Sequence, residues 1–437
     1  MPDALLEKLR ASVGPPNVLT GIELSPYVVE GRTPEAAVFP GSVEEVAAVI
    51  GLAAEAARPV TPWGGGTAAS VGMPAARAGL VLGLRRLGRL LEHEPGDLTA
   101  TVEAGMTVEA FQTALRSRGQ WVSLDPADAD RATVGGVLAT NASGPRRHLY
   151  GTARDLLIGV TVVTADGAVV RGGGKVVKNV AGYDLPKLFV GSYGTLGVIV
   201  EATVKLRPLP EHERLVCIRF DRLKDAGAAV KSVMASDLIP NAIELLDATV
   251  STMLSATGTT LVVGFDGLRE QVDWQCAELA RLAGACGGQA APSLQADMWP
   301  RLAMAPRAAF SATAAVMTLA VLPSQVAEMM ERGADVARAR GLNTAWAAHA
   351  GIGVVRAAIA ADVAPREPAA IAAVLVEWRE MAHAGGGHAT LEWAPLAVKS
   401  QVPVWDDPGA AGRIMERIKA QLDPQNILNP GRFVAGI

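Results

Sequence analysis

A run of three glycines near residue 60 carries the first candidate chemistry in the chain. Residues 59–67 read Pro-Val-Thr-Pro-Trp-Gly-Gly-Gly-Thr. Because glycine lacks Cβ, its backbone can adopt positive φ and let a ligand approach closely. Successive N–H groups exposed in such a turn form a concavity that suits a phosphate, and the hydroxyl group of Thr67 adds a donor. The run predicts a phosphate-binding loop, with an ordinary glycine-rich surface loop as the alternative.

Two further glycine-rich segments in the same half of the chain favour the phosphate-binding interpretation. They span Thr133–Gly144 and Gly191–Ile199. In the first, Gly135 and Gly136 leave bare backbone that can contact a flat ligand. No Gly-x-x-x-x-Gly-Lys-Ser/Thr occurs, and no Gly-x-Gly-x-x-Gly opens a helix after the first strand. Neither a P-loop nor a Rossmann dinucleotide site is therefore expected.

The elements that must position these loops form a small α/β region. Ser42 and Glu45 make a capping box for a helix with one apolar face, and this helix leads into the glycine run. Thr107 can cap a second helix, and Asp166-Gly167 is a strong hairpin signal. The strands expected in this half of the chain are 79–84, 98–103, 157–164, 168–171 and 196–206.

The second half of the chain, from Leu215 to about Ala397, interleaves strands with amphipathic helices. This pattern predicts an antiparallel-sheet α+β domain that resembles two ferredoxin-like halves. Pro208 and Pro210 mark the boundary before it. A last helix is followed by a tail rich in Asn and Pro, which either ends as a surface turn or packs back on the first domain. The strands expected in the second half are 215–220, 243–246, 261–265, 317–322, 344–349 and 354–360, and the helices are 222–235, 269–284, 323–340 and 367–384.

The composition excludes several classes of protein. The chain has 437 residues and a net charge of −4, which leaves no basic footprint for a nucleic acid. No apolar run of about 18 residues predicts a membrane-spanning helix, and the charged N-terminus lacks the apolar core of a signal peptide. A cytoplasmic protein is expected, with peripheral attachment to the inner membrane through a partner left open.

Taken together, the motifs resemble the FAD-binding domain of the vanillyl-alcohol oxidase superfamily, the PCMH-type fold. The resemblance implies an α+β protein with a two-subdomain PCMH-type FAD-binding domain and a ferredoxin-like α+β cap domain. It divides the chain into an N-terminal arm (1–33), the FAD-binding domain (34–210), a cap or substrate domain (211–409) and a C-terminal segment (410–437) that returns to the FAD domain.

The same resemblance implies which residues hold the cofactor. The glycine run maps onto the loop that binds the FAD diphosphate, and the later segments map onto positions that line the flavin or contact it by backbone. The glycine run contains neither His nor Cys for a covalent link, so FAD is expected to be noncovalent. The implied cofactor-binding residues are Pro62, Trp63, Gly64, Gly65, Gly66, Thr67, Ala68, Pro126, Thr133, Gly135, Gly136, Asn141, Gly144, Gly197, Val198, Ile199 and Asn429.

Within this superfamily, four segments resemble the smaller FAD-binding subunit of bacterial glycolate oxidases. They are Gly144–Arg147, Gly151–Asp155, Lys178–Asp184 and Gly191–Gly197. That resemblance implies a complex with a second FAD-binding subunit and an iron–sulfur subunit. Such a complex oxidises glycolate or a related small 2-hydroxy acid and passes electrons onward to its iron–sulfur partner.

Oxidation of a 2-hydroxy acid needs a flavin that takes hydride, a cation for the carboxylate and a base for the hydroxyl proton. His349 is the candidate base, with a structural histidine at a strand end as the alternative. Arg356 is the candidate cation, since a guanidinium can bind a carboxylate through two hydrogen bonds; its alternative is a solvated surface charge.

Metal-binding relatives carry His-x-Gly-Asp-Gly-Asn-x-His and a later Glu-His pair. Here the segment His349–Arg356 lacks the Asp and the Asn and ends in arginine, and the later segment offers only His388 and Glu392. Since a metal site needs three or four ligands, none is expected.

Other polar residues have weaker interpretations. His148 and Tyr150 are expected to be structural or interface residues, and Lys178-Asn179 is a hypothetical contact to flavin N1 or to a partner subunit. Two alternative functions stay open beside the complex subunit: a self-sufficient FAD-dependent 2-hydroxy-acid dehydrogenase that uses His349 and Arg356, and a non-catalytic scaffold of the same fold.

Overall fold

Two separately packed units divide the chain in the computed structural model, in which residues 3–175, 184–291, 294, 296–361 and 367–437 are described. The first unit comprises Met1–Ala142, Thr152–Leu209 and Asp407–Ile437, and the second comprises Ser143–Gly151 and Pro210–Asp406. The chain therefore leaves the first unit for nine residues at the end of the glycine-rich segment Thr133–Gly144, then returns to it.

The elements of both units are as follows. The strands are β1 Val18–Leu19, β2 Ala36–Val38, β3 Val60–Trp63, β4 Leu80–Gly83, β5 Leu90–Glu94, β6 Thr99–Glu103, β7 Gln120–Trp121, β8 Leu157–Val163, β9 Val169–Gly173, β10 Val198–Lys205, β11 Arg207–Pro208, β12 His212–Phe220, β13 Ala242–Leu246, β14 Thr259–Gly267, β15 Gln289–Ala290, β16 Thr313–Ala320, β17 Thr344–His349, β18 Val354–Ala360 and β19 His388–Trp393. The α-helices are α1 Asp3–Val13, α2 Val43–Glu55, α3 Val108–Arg116, α4 Val134–Thr140, α5 Arg147–Tyr150, α6 Ala153–Leu156, α7 Pro186–Phe189, α8 Leu223–Met234, α9 Ala248–Ser251, α10 Arg269–Ala285, α11 Trp299–Met304, α12 Val326–Ala339, α13 Pro368–Ala384, α14 Leu396–Lys399 and α15 Ala410–Leu422.

The first unit contains two larger sheets. One has the order β1-β2-β4-β3, with β2, β4 and β3 parallel, and the other is antiparallel with the order β5-β6-β10-β8-β9. Helix α2 packs its buried face on the first sheet. The predicted cap of this helix is confirmed, since Ser42 Oγ accepts a hydrogen bond from the Glu45 backbone at 3.2 Å. Such a cap stabilises a helix by about 1 kcal/mol.

The C-terminal segment belongs to the first unit. Its residues Ile427 and Asn429 exchange backbone hydrogen bonds with Val60 of β3, at 2.7 and 2.9 Å. Lys419 on α15 is buried, makes an ion pair with Asp423 at 2.6 Å and donates to two backbone carbonyls. Burial lowers the pKa of Lys419, and the carboxylate of Asp423 opposes that shift. The tail is thus fastened to the strand that leads into the glycine run.

The second unit is built on one antiparallel sheet of eight strands, in the order β15-β12-β14-β13-β17-β18-β16-β19. Its amphipathic helices α8, α10, α12 and α13 bury apolar residues. Trp346 and Trp378 meet edge to face, with ring centroids 4.7 Å apart. The predicted α+β fold class is confirmed.

Some elements were not expected from the sequence. The N-terminal arm contains α1, whose residues Leu5, Leu9 and Val13 are buried in the same core as α2. Strands β5 and β19 were also missed. None of the described helices is long and apolar enough to cross a membrane.

Candidate functional site

A cleft in the first unit brings together all three glycine-rich segments and the C-terminal tail. It encloses about 830 Å³ of empty space, part of it open to solvent. Its lining includes most of the residues predicted to bind a cofactor, namely Pro62, Trp63, Gly64, Gly65, Gly66, Thr67, Ala68, Thr133, Gly135, Gly136, Gly197, Val198, Ile199 and Asn429.

The positions of the glycine run cannot accept side chains, because another part of the chain lies against them. A Cβ on Gly64 would overlap the side chain of Thr133, and a Cβ on Gly65 would overlap the carbonyl group of Arg131. Gly66 has a φ of 73°, which favours glycine. Close contact and backbone conformation together keep this stretch of main chain bare on the cleft wall.

Helix α4 presents the second glycine segment to the cleft. Thr133 caps it, accepting a hydrogen bond from the Gly136 backbone at 3.2 Å. A Cβ on Gly135 would lie 2.6 Å from Cβ of Ala104, so this glycine allows the helix to pack closely. A Cβ on Gly136 would meet only the Thr133 hydroxyl within 4 Å, so its face is open to a ligand.

The C-terminal tail supplies polar groups to the cleft. Asn429 donates from Nδ2 to the Tyr193 carbonyl at 2.6 Å, while its Oδ1 is buried and has no hydrogen-bond partner among the described residues. An unpartnered buried acceptor costs about 1–3 kcal/mol, so Oδ1 is suited to a donor on a ligand. Arg432 also lines the cleft and donates to the carbonyls of Ala69 and Val71 just after the glycine run. Burial lowers the pKa of Arg432, and an anionic ligand would relieve that cost.

Three predicted cofactor-binding residues do not line the cleft. Asn141 ends α4 in the left-handed conformation, and its Oδ1 accepts a hydrogen bond from the Arg154 backbone at 3.2 Å. Gly144 belongs to the second unit, and Pro126 is not part of the lining. Lys178 and Asn179 lie outside the described residues. Lining residues that sequence reasoning missed are Thr61, Ala69, Leu84, Ala139, Thr140, Tyr193, Gly194 and Arg432.

The second unit holds the two candidate catalytic residues. Nδ1 of His349, at the end of β17, lies 2.7 Å from Oε1 of Glu244 on β13, and both side chains are buried. The two residues are direct partners in the sheet. Since the carboxylate accepts the proton of Nδ1, Nε2 of the neutral imidazole keeps its lone pair, and no described residue occupies it.

Arg356 on β18 is already engaged. It makes an ion pair with Glu392 of β19 at 2.7 Å and donates to the carbonyls of Ala303 and Ala305. Thr318 of the intervening strand donates to the same carboxylate at 2.5 Å. Burial raises the pKa of Glu392, but the charge of Arg356 and the two hydrogen bonds outweigh it and lower the pKa overall. Among the described residues, no group of three or more His, Cys, Asp or Glu is placed to hold a metal ion.

Comparison with known proteins decides the family. Residues 34–173 match the FAD binding domain family, and residues 209–433 match the C-terminal domain of FAD linked oxidases. The chain belongs to the FAD-linked oxidase family. This oxidase is 30% identical over 422 residues to glycolate oxidase subunit GlcD of Bacillus subtilis, covering 92% of the chain and 89% of that relative.

Two more proteins are similar to this FAD-linked oxidase over nearly its whole length. D-lactate dehydrogenase of Archaeoglobus fulgidus is 31% identical over 440 residues, covering 97% of both proteins. The crystal structure of p-cresol methylhydroxylase with substrate bound has a TM-score of 0.80 and 18% identity, covering 98% of the chain and 96% of that structure. The latter likeness shows the PCMH-type fold alone.

The predicted cofactor is confirmed as FAD, and the oxidase is an FAD-dependent oxidoreductase. The residues of the cleft fit this cofactor. Bare glycine backbone suits its diphosphate, the open face of Gly136 suits a flat ring, and Asn429 Oδ1 receives no hydrogen bond from any residue that the structure describes. The signal that could have found Arg432 is its place in the same Asn-Pro-Gly-Arg tail as Asn429.

Proposed function

We propose that this FAD-linked oxidase converts a small 2-hydroxy acid to the 2-oxo acid. The observation that carries the proposal is its full-length similarity to two proteins named for such substrates, a glycolate oxidase subunit and a D-lactate dehydrogenase. The proposal assigns the cofactor to the cleft residues described above, and the proton and carboxylate chemistry to the second unit.

Bound FAD supplies the acceptor for the hydride that leaves C2 of the substrate. His349 accepts the hydroxyl proton at Nε2, since Glu244 holds its Nδ1 and so selects the tautomer that leaves Nε2 free. Glu244 also stabilises the imidazolium that results, because a carboxylate at hydrogen-bond distance favours the charged form.

Arg356 is proposed as the group that binds the substrate carboxylate. It would share its guanidinium between the substrate and Glu392, because part of its donor capacity is already used within the sheet. We therefore expect Arg356→Gln to raise KM more than it lowers kcat, since the cation acts on the substrate carboxylate in ground state and transition state alike.

Anaerobic absorbance spectroscopy of the purified chain tests the proposal. Glycolate or D-lactate is expected to bleach the flavin bands, and His349→Gln is expected to slow bleaching by about 100-fold or more, as typical for a lost general base. The proposal is wrong if no small 2-hydroxy acid reduces the flavin. A colourless protein that does not take up FAD would instead favour a scaffold of the same fold.

We further propose that the chain works as one subunit of a glycolate-oxidase-type complex and passes electrons to an iron–sulfur partner, which would also provide any attachment to the inner membrane. The relative GlcD is itself named as a subunit. Affinity purification from the native host is expected to bring down a second flavoprotein and an iron–sulfur protein. The size and sequence of that second flavoprotein would identify which of the two FAD-binding positions this chain takes.

The full-length similarity to D-lactate dehydrogenase favours a second candidate, a self-sufficient dehydrogenase. Purification without partners, together with rapid turnover of the isolated chain with an artificial electron acceptor, would support that candidate over the complex subunit.

FAD is proposed to be noncovalent. Among the described residues that line the cleft there is neither His nor Cys. Acid precipitation is expected to leave the yellow colour in the supernatant, and flavin that stays with the pellet would contradict this assignment.

A further inference from the structure

His148 lies in the short stretch, residues 143–151, that begins at the end of the second glycine-rich segment and belongs to the second unit. Its neighbours on both sides are firmly held. Arg146 makes an ion pair with Glu213 and stacks over Trp299 at 4.0 Å, and the hydroxyl group of Tyr150 donates to Asp266 at 2.7 Å. The backbone that carries His148 is therefore held on both sides by its flanking residues.

The ring of His148 packs against the turn that follows His349. A Cβ on Gly351 of that turn would lie 2.6 Å from Nδ1 of His148, so glycine is required for the approach. Nδ1 is buried and has no hydrogen-bond partner in the part of the chain that the structure describes, although the ring as a whole is only partly buried. The two ring nitrogens thus lie in different surroundings.

Burial lowers the pKa of His148; the charge of Glu244 on β13 raises it, and His349 at the end of β17 lowers it. These are the two titratable groups that act on it from the elements packed against α5. On its own stretch, Arg146 and Tyr150 are engaged with Glu213 and Asp266. Protonation of Nδ1 would also place an N–H group without an acceptor in a buried position, at a cost of about 1–3 kcal/mol.

His148 and His349 therefore have opposite characters. His349 has a carboxylate on Nδ1 and a free lone pair on Nε2. His148 has a bare Nδ1, so its single proton belongs on Nε2, where it can be donated. Two neighbouring imidazoles whose surroundings differ in this way are suited to act as a base and as a hydrogen-bond donor.

We propose that His148 is a further catalytic residue of this oxidase, a neutral imidazole that donates Nε2–H to an oxygen of the bound 2-hydroxy acid beside the Glu244–His349 pair. The inference rests on the proposed function. In the reaction, the hydroxyl proton passes to His349, the C2 hydride and its electron pair pass to the flavin, and the C2–O bond becomes the carbonyl of the 2-oxo acid. His148 gains and loses no proton; it stabilises the oxygen from which the proton leaves.

NMR of the full chain with isotope-labelled histidine tests the state of His148 without any turnover. The chain has six histidines, and the signal missing from His148→Gln identifies this ring. We expect it to carry its proton on Nε2 and to titrate at a lower pH than an ordinary histidine, whose pKa is about 6.5, because burial lowers the pKa of His148. A proton on Nδ1, or an ordinary titration, would overturn the inference.

Rapid-reaction measurements test its role, using a 2-hydroxy acid that reduces the wild-type flavin. We expect His148→Ala to slow flavin reduction by about 100-fold, the usual effect of one lost donor to a reacting oxygen. His148→Gln retains an N–H donor and is expected to stay within about tenfold of the wild-type rate, because one hydrogen bond has a modest net value.

Both variants should keep the wild-type FAD content and the wild-type shape of the pH–rate profile. His388→Gln, at an exposed position on β19, is the matched control and should react as the wild type does.

Unchanged reduction by His148→Ala, equal losses in the Ala and Gln variants, or a shifted pH profile would each overturn the catalytic role. If no 2-hydroxy acid reduces the wild-type flavin, the proposed function fails and takes the catalytic role with it, whereas the NMR result concerns His148 alone.

Discussion

At the scale of single residues, two kinds of feature distinguish the cofactor cleft: glycines at positions that leave no room for a side chain, and a buried hydrogen-bond acceptor without a partner among the described residues. Gly65 has no room for a side chain because the Arg131 carbonyl lies against it, and Asn429 has an acceptor that nothing in the described chain satisfies. The first kind of feature can be seen in the sequence as a glycine run. The second cannot, because an asparagine in a turn looks the same whether its side chain is satisfied or not.

Gly65→Ala is expected to weaken FAD binding. The new methyl group would overlap the Arg131 carbonyl, and relieving such a clash typically costs about 1–3 kcal/mol, or about 5- to 150-fold in Kd. Titration of the apoprotein with FAD measures the change. Gly51→Ala on α2, where an added Cβ meets nothing within 4 Å, should bind FAD as the wild type does.

Asn429→Ala is expected to weaken FAD binding more mildly, by about fivefold, because one hydrogen bond contributes about 1 kcal/mol net. Asn426→Ala is a matched control: Asn426 also has a positive φ, 50° against 47° for Asn429, but does not line the cleft. The same fluorescence titration serves both variants. Equal losses in the two would mean that backbone strain, not the Oδ1 acceptor, is responsible.

At the scale of elements, capping and periodicity were sufficient to predict helices α2, α3, α10 and α13 nearly to their ends. They could not show which elements meet. Glu244 and His349 are 105 residues apart in sequence, and only the register between β13 and β17 makes them partners. Likewise, the ion pair of Arg356 with Glu392 depends on the order of strands β18, β16 and β19, which no local pattern encodes.

Asp247 joins a helix to a strand and makes the second unit sensitive to pH. Its carboxylate accepts backbone hydrogen bonds from Val250 of α9 and Trp346 of β17. Burial raises the pKa of Asp247 from 3.8 to about 6, against the opposing effect of these hydrogen bonds. Between these two pH values the folded chain holds a proton that the unfolded chain has lost, so this group's contribution to stability falls as pH rises.

The quantity to measure is the free energy of unfolding of the wild type minus that of Asp247→Asn. We expect this difference to fall by about 2 kcal/mol between pH 4 and pH 6, because one pKa unit corresponds to about 1.4 kcal/mol. Urea unfolding at several pH values measures this difference. A flat difference for Asp247→Asn would contradict the assignment.

At the scale of the whole chain, Pro208 and Pro210 predict a boundary, and the chain passes from one unit to the other between Leu209 and Pro210. No local pattern predicts that residues 143–151 belong to the second unit, because their place there depends on contacts of Arg146, His148 and Tyr150 with residues far away in sequence.

A chain that stops at residue 406 is expected to bind no FAD. It would lack Asn429 and Arg432 from the cleft, and β3 would lose its backbone partners in the tail. Lys419→Met in the full-length chain is the companion variant. It leaves the Asp423 carboxylate buried and unpaired, at a cost of about 3–5 kcal/mol, and should lower Tm while FAD remains bound below the transition. A truncated chain that still purifies with flavin would contradict this account of the tail.

The late position of the tail in the chain has a consequence for biosynthesis. A ribosome releases the amino end first, but the pocket is closed by residues 429 and 432 of 437. The cleft is therefore complete only once residues 429 and 432 have left the ribosome, and a product that terminates before them is expected to stay colourless. Pigment would thus report that synthesis has passed the tail.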